Sequence, residues 1–144
     1  MGDPPPTGRG STVATVLRWA ALYFAAVFGT GFVLGPLRVL WLEPRLGVRA
    51  AELLEAPFML SAIVLAGRGA GGPLRRQPGA GAALGVGIAA ASLVLAADLA
   101  VGIGLRGMTW MEVFTARDPV SGPVYYALVA FTAAAPWVFW RRGG

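Results

Sequence analysis

At 144 residues, 56% of them hydrophobic and only 13% charged, the chain lies outside the balance of a soluble domain, and a bilayer is its natural solvent. It has neither cysteine nor histidine, which excludes disulfides, thiolate chemistry, Cys/His zinc sites and imidazole haem ligands, so no metal, cofactor or catalytic residue is assigned. All 12 basic residues are arginine, against 7 acids; with alanine and glycine so abundant this reflects coding bias, and no nucleic-acid partner is read into the net charge of +5.

A helix needs about 20 largely apolar residues to cross about 30 Å of hydrocarbon. Four stretches meet or nearly meet that length, at about 13–35, 48–66, 82–105 and 123–140, which predicts an all-α integral membrane four-helix bundle over 13–142. Residues 1–12, opening MGDPPPTGRGS, read as a disordered tail; Pro6 stands where a myristoylation signal requires Ser or Thr. The first span is too long in its apolar core for a cleaved leader and is expected to remain as an anchor.

Between the first two spans runs RVLWLEPRLGVRAAELLEAPFM, residues 38–59, with three arginines and three glutamates. Gly35-Pro36 is expected to kink or end the first span, a turn to close around Gly47, and the second span to start near Val48. Counted from Ala66 at about 1.5 Å per residue, Glu55 lies about 16 Å in, near the bilayer midplane, and Glu52 about 21 Å; Asp98, counted from Ala83, lies at about 22 Å. A carboxylate at such depth costs about 2.5–3.5 kcal/mol unless it faces the bundle interior and finds a partner. Arg38, Arg45 and Arg49 are the nearest cations. Arg49 is expected to reach Glu52 three residues on, Glu52 and Glu55 to project together, and Arg38 to swing toward Asp98 or Glu55. These six residues form a candidate intramembrane charge cluster. Pro57 frees a carbonyl in the preceding turn that is expected to line a small polar space.

Residues 67–81, GRGAGGPLRRQPGAG, read as a flexible basic loop: there is no P-loop ending, no preceding strand and no ribose-binding acid. In RGMTWMEVFTARDPVSG, Met108, Trp110, Met111, Val113 and Phe114 alternate with Glu112 and Arg117, which predicts a short interfacial helix before the last span, broken by Asp118-Pro119 and Ser121-Gly122-Pro123. Small residues should bring the spans together. The GxxxG pairs Gly31/Gly35 and Gly81/Gly85 are the expected packing sites, and FTAAAP gives the last span a small face.

Seven arginines fall on the side of the chain ends and the second connection, and five on the other side, where Glu43, Glu52, Glu55, Glu112 and Asp118 accompany them. The bias places both ends in the cytoplasm. Trp19, Tyr23, Trp137 and Trp140 mark one interface, and Trp41, Trp110, Tyr125 and Tyr126 the other.

GPLRVLWLEPRLGVRAAELLEAPFM, together with RDPVSG before the last span, resembles a group of short bacterial four-span membrane proteins with no established activity. The resemblance implies a multi-pass protein of the bacterial inner (cytoplasmic) membrane and carries over no functional residue. Three functions are then open. The first is a structural or accessory role in the bilayer, as a homo-oligomer or beside a partner membrane protein. The second is an oligomeric channel or carrier moving protons or small cations through Glu52, Glu55 and Asp98. The third is a membrane enzyme with Glu52 or Glu55 as acid/base. Near-matched charges favour the first.

Overall fold

The computed structural model describes residues 9–75 and 79–143, and every regular element among them is helical. α1 (Arg9–Leu37) passes without a break into one π-helical turn (Arg38–Leu42) and then α2 (Glu43–Leu46); beyond Gly47 follow α3 (Val48–Leu74), α4 (Ala80–Gly104), α5 (Trp110–Thr115) and α6 (Ser121–Arg142). Thr12–Leu46, Val48–Leu74, Ala80–Gly104 and Ser121–Arg142 are each long and apolar enough to cross a membrane. The chain is therefore an all-α, multi-pass four-helix bundle with a short helix before its last span. Residues 1–8 of the expected tail lie outside the described residues, and α1 is already helical at Arg9.

Pro36 does not end the first span. The helix runs through it, and the ladder then widens so that the Glu43 N–H bonds the Arg38 carbonyl, five residues back. That widening decides which side chains meet. In a regular α-helix residues five apart point about 140° away from each other, whereas a π turn sets them one above the other. Arg38 and Glu43 consequently share a face. Gly47 then reverses the chain at φ 80°, a conformation that a side chain at this position would strain.

The glycine-rich stretch expected to be a loop is mostly helix, since α3 continues to Leu74. In lipid a helix is the way a backbone satisfies its own polar groups, and glycine there serves close approach rather than flexibility. A Cβ at Gly67 would meet Ala135 Cβ at 3.0 Å, and one at Gly71 the Pro136 carbonyl oxygen at 2.8 Å. From the other side, a Cβ at Gly87 of α4 would land on the Ala133 carbonyl. The AAAP face of α6 is thus gripped between glycines of α3 and α4, with Ala135 fully buried. Of the four glycines expected at helix contacts, Gly31 faces Met59 of α3 and Gly85 faces Val16 of α1 with room for a Cβ at ordinary contact distance, whereas a Cβ at Gly35 or Gly81 would meet nothing within 4 Å.

α6 packs against both α3 and α4, and α1 packs against the same two helices. Tyr23 reaches from α1 to α6. Expected at an interface, it is instead a core residue, 2% exposed, whose hydroxyl donates to the Thr132 carbonyl at 3.0 Å. The reason lies in α6: Pro136 has no N–H, so the carbonyl four residues earlier, that of Thr132, loses its helical donor and needs another. Tyr23→Phe is expected to cost about 1–3 kcal/mol by orphaning that carbonyl. In a Pro136→Ala background, where the helical N–H returns, the same change should cost clearly less. Equal costs in both backgrounds, measured by unfolding in detergent, would remove this explanation.

Candidate functional site

α3 and α6 begin, and α1 and α4 finish, at the same end of the bundle, and the charged residues gather there. Arg38, turned inward by the π segment, sets its Nε 3.2 Å from Glu43 Oε1 and its terminal nitrogen 3.0 Å from Glu55 Oε2 and 3.7 Å from Glu52 Oε1. Glu52 and Glu55, three apart on α3, do project together. The four side chains are 14–23% exposed, so the water and salt that weaken a surface pair are largely kept out. Glu52 also accepts a hydrogen bond from the Ser121 hydroxyl on α6, a buried group. One guanidinium facing three carboxylates leaves surplus negative charge.

Two more groups complete the end. Arg49 Nε donates to both Asp118 oxygens, at 3.1 and 3.2 Å. Asp118 Oδ1 in turn accepts the N–H groups of Val120 at 2.8 Å and Ser121 at 3.1 Å, so it caps the entry to α6. On α4, Asp98 accepts from Arg117 at 3.3 Å and from the Tyr125 hydroxyl, and the Arg117 guanidinium lies 3.5 Å from the centre of the Tyr125 ring. Thr109 and Glu112 form a reciprocal cap that starts α5, whose buried Val113 seats on Gly102 of α4. This seating folds the connection back over the end of the bundle and brings Arg117 to Asp98.

The expected pairings are therefore corrected in part. Arg38 does reach Glu55, but Asp98 belongs to Arg117 and Tyr125; Arg49 belongs to Asp118 and not to Glu52. Arg45 stays outside the network, stacked 5.9 Å from the Trp41 ring with its guanidinium on the Trp41 carbonyl. The depth of Glu55 also changes. It is the eighth residue of α3, about 10 Å from one end and about 29 Å from the other, so it lies in the outer third of the helix and not at its middle. Arg117, Asp118, Ser121 and Tyr125 were absent from the expected cluster. Their one legible signal is Asp118-Pro119, a residue type that caps helices followed by proline, just ahead of α6.

Arg49, followed by the Ser121 and Val120 amides, holds the Asp118 carboxyl at about 2, below its ordinary 3.8. Being lowered on folding, this group contributes stability that is complete above about 3.8 and is lost as pH falls through about 2. Asp118→Asn should flatten that part of the acid unfolding curve; an unchanged acid limb would contradict the capping role. For Asp98 the expected result is a coupling of about 0.5–3 kcal/mol to Arg117 in a double-mutant cycle of Asp98→Asn and Arg117→Gln, because removing one side of a part-buried pair costs more than removing both. Strict additivity would exclude the pair.

Chemically the end holds carboxylates, guanidinium groups and two donating hydroxyls. Among the described residues no three acidic side chains stand where they share a metal ion. Two hollows, of about 350 and 340 Å³, lie at the opposite end, around Arg75, Trp140 and Arg141 and around Trp137 and Arg142. No protein family, no curated protein and no solved structure matches this chain.

Proposed function

We propose that the chain is a small integral membrane protein of structural or accessory role in a bacterial inner membrane, with both ends cytoplasmic, acting as a homo-oligomer or beside a partner membrane protein. The observation that carries this reading is the pairing at the charged end: Glu43, Glu52, Glu55, Asp98 and Asp118 each have a guanidinium within 4 Å, and these contacts, with the Ser121 and Tyr125 hydroxyls, join the π turn after α1 to α3, and α6 to both α3 and α4. Charges used this way fix helix register and close the bundle. The open space beside Gly35 supports a helix from another chain packing there.

Purified protein in vesicles under a pH or sodium gradient is expected to pass neither protons nor cations above the empty-vesicle rate, and to migrate as an oligomer or with a co-purified membrane partner. Flux that Glu55→Gln abolishes would replace this reading with the carrier, which the surplus of carboxylates around Arg38 supports. Orientation is tested by Ala80→Cys and Leu105→Cys in a chain that has no native cysteine. Labelling of Ala80→Cys from outside intact cells would reverse it.

A further inference from the structure

Opposite the clasp formed by the charged cluster, arginine is the only charged residue type among the described residues at the end of the bundle. α3 and α6 run parallel and finish there together, so Arg68 and Arg75, seven apart on α3, come beside Arg141 and Arg142 at the close of α6. Every ion pair among the described residues lies at the other end of the molecule. Helix ends do not neutralise the arginines either. Two helices start and two stop here, and their opposite partial charges cancel.

The guanidinium groups are held in place without being satisfied. Arg68 lies 5.4 Å from the centre of the Phe139 ring and Arg141 4.8 Å from that of Trp137. Ring stacking positions a guanidinium but leaves its N–H edge free. Arg75 donates to the carbonyls of Phe139 and Gly143 and so ties the ends of α3 and α6 together. Between them opens the hollow of about 350 Å³, lined by Arg75, Trp140, Arg141 and Gly143. Trp140 adds the decisive requirement: its indole N–H is buried and meets no acceptor among the described residues. A buried donor left unmade is costly, and it calls for an oxygen.

We propose that this hollow binds a phosphate group, supplied by the headgroup of an anionic phospholipid, with the Trp140 indole N–H and the Arg141 guanidinium donating to its oxygens and Arg75 forming the inner wall. A phosphate offers several acceptor oxygens and a negative charge that none of the described residues supplies here, and the planar fork of arginine matches it. The depth also fits, because tryptophan and arginine at the close of a span lie at the level of headgroup phosphates. The site is independent of the clasp and of the role proposed above.

The test is thermal unfolding of the full chain in a neutral detergent, titrated with short-chain phosphatidylglycerol, short-chain phosphatidylcholine or inorganic phosphate. Phosphatidylglycerol is expected to stabilise saturably, with a half-saturating concentration at least about tenfold below that of phosphatidylcholine. Trp140→Phe, which keeps an aromatic side chain and deletes the donor, and Arg141→Gln are each expected to raise that concentration about five- to tenfold. Arg45→Gln, at the other end, should leave it unchanged. Inorganic phosphate acting at or below the phosphatidylglycerol concentration, with the same loss in the variants, keeps the phosphate site and assigns it to the free ion. Equal action of the two lipids, or Arg141→Gln binding phosphatidylglycerol as tightly as the parent, overturns the proposal. Arg141 is exposed, so this variant decides even where Trp140→Phe does not fold.

Discussion

Arg38→Gln is expected to destabilise the protein by about 3–5 kcal/mol, the cost of removing one member of a buried ion pair and leaving the other uncompensated. The case here is stronger than a simple pair, because three carboxylates, of Glu43, Glu52 and Glu55, converge on one guanidinium. Glutamine retains a donor for one of them but no charge. Adding Glu55→Gln should recover part of the loss, since Glu55 makes the 3.0 Å contact and is the least exposed of the three. Reversible unfolding in detergent measures both variants. A single variant within about 0.5 kcal/mol of the parent would mean that the cluster is hydrated and not structural.

Gly87→Leu is expected to prevent the native packing altogether. Even the first carbon of a side chain would fall on the Ala133 carbonyl and 3.2 Å from Pro136 Cδ, and backbone cannot turn aside as a flexible side chain does. Gly87→Ala should accordingly cost about 1–3 kcal/mol by forcing α4 away from α6. Gly81→Ala, six residues earlier on the same helix with nothing within 4 Å, should have the opposite sign and gain up to about 1 kcal/mol of helix propensity. If both alanine variants are neutral, α4 and α6 are not in the contact described here.

These two residues also show how far the sequence can be read. The four spans, the short helix ahead of the last one and the small face of FTAAAP follow from hydropathy and composition, which are local properties. Which glycine meets that face is not local. Gly81/Gly85 fit the GxxxG spacing and Gly87 does not pair with either, yet only the rotation of α4 against α6 decides which of them points inward. The stretch from Gly67 to Leu74 reads as a loop because glycine and proline signal one in water, whereas in a bilayer the same residues make a helix with a close-packing face. Local spacing brought Glu52 and Glu55 together, and the turn after Pro36 brought them Arg38. It misassigned Arg49 and Asp98, whose partners Asp118 and Arg117 come from the segment that α5 folds back over the bundle.

That late origin of the partners sets the timing of assembly. As the chain is made from its first residue onward, Arg38 meets Glu43, Glu52 and Glu55 as soon as the first hairpin closes. Arg49, Asp98 and the second contact of Glu52 wait for residues 117–125. A nascent chain halted after α4 therefore holds an aspartate and an arginine without counterparts, and has no α6 for the glycines of α3 and α4 to grip. Until the final helix arrives, such an intermediate holds unpaired charge and an unfilled small-residue face within the bilayer.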